Sequence, residues 1–104
     1  MADTCTEQRV RVGRKNTAFY ANDLDSIVMI ASALAVKKRA EILSRCDGMM
    51  TVKELCLSMG ISIELFSWHR RVLEKLPFLD FYETEHGKVF YLKDSLILLN
   101  LEMK

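Results

Sequence analysis

Cysteine and histidine are the side chains best suited to bind metals or attack as nucleophiles, and here they are few and scattered: Cys5, Cys46, Cys56, His69 and His86. A structural zinc site needs about four ligands, often from a C-x-x-C pair, and no such pair occurs. Three widely spaced cysteines fit free thiols in a reducing compartment better than a disulfide framework. Neither a metal nor a cofactor is expected. There is no Gly-rich phosphate loop, no G-x-S-x-G elbow and no Cys near a His at a recognisable spacing. Acid–base pairs stay open from sequence, but the carboxylates are mostly accounted for by helix caps and exposed faces. The chain is therefore expected not to be an enzyme.

The other chemistry on offer is that of cations toward phosphate. Fifteen Lys and Arg against fourteen Asp and Glu leave a formal charge of +1, so a general DNA-coating field is missing and any nucleic-acid contact must come from a local patch. Clusters stand at Arg9, Arg11, Arg14 and Lys15, at Lys37, Lys38, Arg39 and Arg45, and at Arg70 and Arg71.

The elements that must position these groups fit one domain of 104 residues, with 50% apolar and 28% charged residues. The longest apolar stretches, Ser26 to Val36 and Ser95 to Leu101, are too short to span a membrane. The polar, partly acidic start has no secretory-signal order, so residence inside a cell is expected. Residues 1–21 read as a basic arm, open to disorder, with Arg9-Val10-Arg11-Val12 as a possible short strand. A solvated terminus and a DNA-touching arm both fit that segment.

Residues 22–104 read as the folded domain. Asn22 can cap a first helix with Ile27, Ile30, Ala31 and Leu34 on its apolar face. A second helix over about Val36 to Cys46 turns Ala40, Leu43 and Cys46 inward and ends at Asp47-Gly48. Thr51-Val52-Lys53-Glu54 has the form of a capping box and opens a short third helix that buries Val52, Leu55, Cys56 and Met59 and stops at Gly60. Ser62 caps a fourth helix running to about Leu76, before Pro77. Two capped helices joined at Gly60-Ile61 spell helix-turn-helix. Phe78 to Thr84 and Lys88 to Leu92 around Glu85-His86-Gly87 make a β-hairpin. A last helix is expected from Ser95 to Met103, capped by Asp94 or Ser95 and apolar almost all round.

Four helices, a hairpin and a final helix give an α+β, mainly α, chain in the layout of a winged helix-turn-helix. Several strings resemble the ArsR-like transcriptional regulators: Ala33-Leu34-Ala35 followed by Arg39-Ala40-Glu41-Ile42-Leu43, then Thr51-Val52-Lys53-Glu54-Leu55, then Ile61-Ser62 with Ser67, His69, Val72 and Leu73, and Gly87-Lys88-Val89-Phe90-Tyr91-Leu92 with Asp94. The likeness covers roughly Leu24 to Leu101. Thr51 and Lys53 stand where family members that sense metals carry a C-x-C, Cys56 falls on an accessory cysteine, and the last segment has no His. The resemblance thus implies a regulator without the family's metal sites. Arg70 also departs from the pattern, which has an apolar residue after the recognition-helix His.

The resemblance implies that the fourth helix docks in a major groove. Phe66, His69, Val72, Leu73 and Leu76 would face the core, with His69 structural rather than a ligand, and Ile63, Glu64, Ser67, Trp68, Arg70 and Arg71 would project outward. Arg can pair with guanine, Glu can accept from cytosine N4 and Ser can reach phosphate. A solvated charged face would show the same charges, but Trp68 strains that reading and is equally unusual as a base reader. It could pack on the arm or wing, or mark a protein interface. Phosphate contacts are expected from Lys37, Lys38, Arg39 and Arg45 on the second helix and from Arg11 and Arg14 in the arm, while His86 and Lys88 could approach a minor groove or the backbone from an otherwise acidic wing. The family's first and last helices pair across a two-fold axis, which implies a homodimer through Ile27, Ile30, Leu34, Leu96, Leu98, Leu99 and Leu101, although both helices could instead fold onto their own core. The expected partner is double-stranded DNA; a winged-helix module that binds another protein is the competing expectation.

Overall fold

The structure, a computed structural model, describes residues 5–102, and the side chains of residues 8–100. Its elements are β1 (Cys5–Arg11), β2 (Ala18–Ala21), α1 (Leu24–Leu34), α2 (Lys37–Ser44), β3 (Asp47–Thr51), α3 (Val52–Met59), α4 (Ile63–Leu73), β4 (Leu79–Thr84), β5 (Gly87–Leu92) and β6 (Leu96–Glu102). The fold is α+β, with four helices and two three-stranded sheets, ordered β1-β6-β2 and β3-β5-β4.

The first sheet overturns the expected final helix. Leu96–Glu102 is the central strand, antiparallel to β1 from Arg11↔Leu96 to Cys5↔Glu102 and parallel to β2 from Ala18↔Leu96 to Ala21↔Leu99. A strand covered on both faces carries the same unbroken apolar run as a buried helix, so periodicity does not separate them. Two consequences follow. Cys5–Arg11 and Ala18–Ala21 are edge strands of this sheet, so the segment read as an arm is built into the fold. Ser95 caps no helix: it is 1% exposed, and its Oγ accepts the Lys15 N–H at 2.9 Å.

The helix boundaries follow their caps closely. Asp23, one residue later than expected, caps α1 by accepting the Ser26 N–H at 3.0 Å. Val36 precedes α2 without a side-chain cap. The capping box at α3 is present: Thr51 Oγ1 accepts the Glu54 N–H at 3.2 Å and Glu54 Oε1 accepts the Thr51 N–H at 3.0 Å. Gly60 ends α3 at φ +66°, a left-handed position that glycine takes without a Cβ clash, and the Ile61 N–H closes the turn on the Cys56 carbonyl. Ser62 then caps α4 by accepting the Leu65 N–H at 3.1 Å. α4 ends at Leu73, earlier than Leu76.

Strand β3 was not expected. α2 ends at Ser44 with Arg45 as its C-cap, earlier than Cys46, and Asp47-Gly48 begins a strand instead, paired Asp47↔Tyr91 and Thr51↔Val89 with an irregularity between. It locks the hairpin β4–β5, whose register runs from Leu79↔Leu92 to Thr84↔Gly87, onto the helices. The core is continuous: Ile30, Ile42, Leu43, Leu73, Leu76, Phe78 and Ile97 are all at most 2% exposed. Phe19 of β2 meets Phe78 at 5.5 Å between ring centroids, and Phe66 of α4 meets Phe90 of β5 at 6.1 Å. Both sheets thus share one interior with the helices. Among the described residues no helix is long and apolar enough to cross a membrane.

Candidate nucleic-acid interface

α4 is fixed by its inner face. Phe66 and Leu73 are buried and Val72 is half-buried, at the spacing expected for a helix with one apolar stripe. His69 also turns inward and is half-buried. Its Nδ1 accepts the Arg39 Nε–H at 3.3 Å, while the same arginine donates through NH1 to the Ser32 carbonyl at 3.0 Å. Desolvation, followed by the charges of Arg39 and Lys38, holds the imidazole below its ordinary value of 6.5. His69 is therefore a neutral acceptor between α2 and α4, and Arg39 is a brace rather than an open phosphate contact.

The outer face is open but more apolar than its arginines suggest. Trp68 is 71% exposed and Ile63 52%, with Glu64 and Arg71 also exposed and Ser67 half-buried. Among the described residues Trp68 makes no ring-to-ring contact with arm or wing; its cationic neighbour is Arg71, 5.8 Å from the ring centroid on the same helix. Arg70 is half-buried, its Nε 2.7 Å from the Glu74 carboxylate but out of line for a directed hydrogen bond. That ion contact draws Arg70 toward the C-terminal end of α4.

The remaining cations are placed unequally. Lys37 is exposed, whereas Lys38 pairs with Glu41 at 3.4 Å. In the wing, His86 is exposed at the turn and Lys88 lies 4.3 Å from the centroid of Phe81. Arg11 donates to the Gly13 and Lys15 carbonyls, closing the loop between β1 and β2, and Arg14 is exposed on that loop. The structure brings together Ile63, Glu64, Trp68 and Arg71 on one helix face. It assigns Arg39 and Arg11 to internal hydrogen bonds.

The residues proposed for a dimer surface are dispersed. Ile30 is fully buried and Leu98 is 7% exposed, while Ile27, Leu34, Leu96 and Leu99 are half-buried. The side chain of Leu101 lies outside the described residues. A pairing of first and last helices cannot form, because the last segment is a strand.

Sequence reasoning missed Lys53 and Leu57. Both are exposed on α3, Leu57 at 74%, off the stripe of Val52, Leu55, Cys56 and Met59. Their i, i+4 spacing was the available signal. The thiols of Cys46 and Cys56 are buried. Burial, reinforced by Asp47, pushes Cys46 up to about 12, and its S–H donates to the Ile42 carbonyl at 3.2 Å; burial also raises Cys56. Protonated thiols are poor nucleophiles and poor ligands. Among the described residues no three His, Cys, Asp or Glu side chains gather as a metal group.

Comparison of the chain with protein-family models, with curated proteins and with solved structures returned no match.

Proposed function

We propose that the chain is a winged helix-turn-helix DNA-binding regulator of ArsR-like type, with α3 and α4 as the helix-turn-helix and β4–β5 as the wing. One observation carries this reading. α4 follows α3 through a single left-handed glycine, buries Phe66 and Leu73, and keeps its opposite side from Ile63 through Trp68 to Arg71 open to a partner. In such a docking, Arg71 and Ser67 approach base edges or phosphates, Lys37 and Lys53 add phosphate contacts, and His86 and Lys88 approach from the wing. Two copies would place two α4 helices about one DNA turn apart. The dimer contact we propose differs from the family's: it uses the exposed α1 stripe of Leu24, Val28 and Ala31, continued by the C-cap Ala35.

Anisotropy of a labelled mixed-sequence duplex, titrated with protein at several salt concentrations, tests this function. Affinity should fall log-linearly with salt, with a slope of roughly −0.9 per phosphate contacted. Arg71→Ala should weaken binding by about 1–3 kcal/mol if it reads a base. Affinity weaker than ~10⁻⁴ M at low salt, below ordinary nonspecific binding, ends the proposal.

A second reading has its own observation. Leu57, Ile63 and Trp68 expose large apolar side chains on the two helices of the proposed helix-turn-helix, a composition suited to a protein partner. Absence of duplex binding, together with a partner lost on Trp68→Ala and Leu57→Ser but unaffected by Arg71→Gln, would favour it.

A further inference from the structure

A cavity of about 750 Å³ opens between the β1–β2 loop, the C-terminal end of α2 and the face of the β3-β5-β4 sheet that carries Tyr82 and Tyr91. Its volume falls within the roughly 300–1,000 Å³ typical of small-molecule sites. No residue of α3 or α4 lines it. It is therefore distinct from the open face of α4.

Arg14, Lys15 and Arg45 line this cavity against a single carboxylate, Asp47. Asp47 Oδ1 already accepts the Met49 N–H at 2.9 Å. Neither Arg14 nor Arg45 is ion-paired to a described carboxylate. Three lining cations against one lining carboxylate bias the opening toward an anion.

The wall beside these cations is aromatic and fixed. The rings of Tyr82 and Tyr91 stand 6.1 Å apart at 42°, the Tyr82 hydroxyl donates to the Gly48 carbonyl at 2.7 Å, and Lys15 Nζ lies 5.6 Å from the Tyr91 centroid. The loop that carries Arg14 and Lys15 is held as well. The Lys15 N–H donates to Ser95 Oγ, and the Val12 N–H donates to the Ser95 carbonyl at 2.9 Å. Cys46, also at the lining, is a buried thiol that burial holds in its protonated form.

We infer that this cavity binds a ring-bearing phosphate monoester of nucleoside monophosphate size, its phosphate between Arg14, Lys15 and Arg45 and its ring on the tyrosine wall. A phosphate monoester carries a charge near −1.5 to −2 at neutral pH and accepts several hydrogen bonds from arginine. A planar ring stacks on aromatic side chains with little demand on its identity. Neither half of the ligand suffices alone.

Titration calorimetry on the full chain at low ionic strength, with AMP, UMP, adenosine and inorganic phosphate as separate probes, tests the proposal. Each nucleotide should saturate with a Kd below about 1 mM, and adenosine and phosphate should each bind at least about tenfold more weakly. Arg45→Gln and Arg14→Gln, both at exposed positions, should each lower nucleotide affinity about tenfold or more while leaving the thermal midpoint of the free protein unchanged. No saturable binding of either nucleotide, inorganic phosphate binding as tightly as AMP, or full affinity in both variants would each overturn it. Because α4, which carries the proposed duplex contact, lies outside the cavity, nucleotide binding can fail while duplex binding by the unaltered protein stands, and the reverse.

Discussion

Arg39 Nε donates a hydrogen bond of 3.3 Å to Nδ1 of His69, thirty positions further along the chain. The pair, with the Arg39 bond to Ser32, ties α4 to α2 and to the end of α1.

The burial of His69, followed by the charges of Arg39 and Lys38, makes stability depend on pH. The folded His69 is held below 6.5, while the unfolded imidazole titrates at its ordinary value, so the unfolded state binds more protons through this window. Stability is complete above about 6.5 and is lost as pH falls toward the lower folded value. Urea unfolding at a series of pH values from 7.5 to 5.5 should show this decline, and His69→Gln should flatten it. An unchanged slope in the variant would assign the decline to other groups.

The capping box is the second test. Thr51→Ala removes the hydroxyl acceptor at the Glu54 N–H, and should cost about 1 kcal/mol, within the 0.5–2 kcal/mol typical of such caps. The bonds from the Thr51 backbone and side chain also hold the Glu54 carboxyl below its ordinary value of 4.5. The carboxylate's contribution is present above about 4.5 and is lost as pH falls through the lower folded value. In Thr51→Ala the titration of Glu54, followed by NMR, should move upward; a stationary titration contradicts the role of the box.

Gly13 is the third. Its φ is unremarkable, but a Cβ there would lie 2.5 Å from Ser95 Oγ and 3.0 Å from Leu92 Cδ1. Ser95 is buried and holds Lys15, so Gly13→Ala should cost about 1–3 kcal/mol through overpacking. Adding Ser95→Ala removes the clashing oxygen. The double variant should then be less destabilised than the sum of the singles, and strict additivity would show that the two positions do not meet.

The α1 stripe gives the fourth. Leu24 is 65% exposed and Val28 54%. If two copies pair there, Val28→Lys should halve the mass measured by sedimentation equilibrium while changing monomer stability by no more than about 0.5 kcal/mol. An identical mass for both proteins would remove α1 from any dimer contact.

Legibility followed how local the determining physics was. The capping box at Thr51 and Glu54, the glycine stop at Gly60, the cap at Ser62 and the hairpin around His86 were all readable because each depends on residues within a few positions of one another. The buried stripe of α4 was readable for the same reason. The cluster of exposed side chains on that helix followed from it, but the state of each arginine did not, since Glu74 engages Arg70 and Trp68 neighbours Arg71 in ways set by rotamer and packing.

The sequence by itself determined where α3 and α4 begin, the start of α1 to within one residue, and which side of α4 turns inward, because caps and helical periodicity are short-range. Only the tertiary structure decided that residues 96–102 are a strand, since an apolar run acquires its conformation from its neighbours, and the neighbours are β1 and β2, at the far end of the sequence. The same long-range pairing moved Ser95 from a helix cap to a buried anchor and turned a basic arm into two edge strands. Backbone hydrogen bonds buried in a sheet must be satisfied by another segment of chain, and no local pattern names that segment.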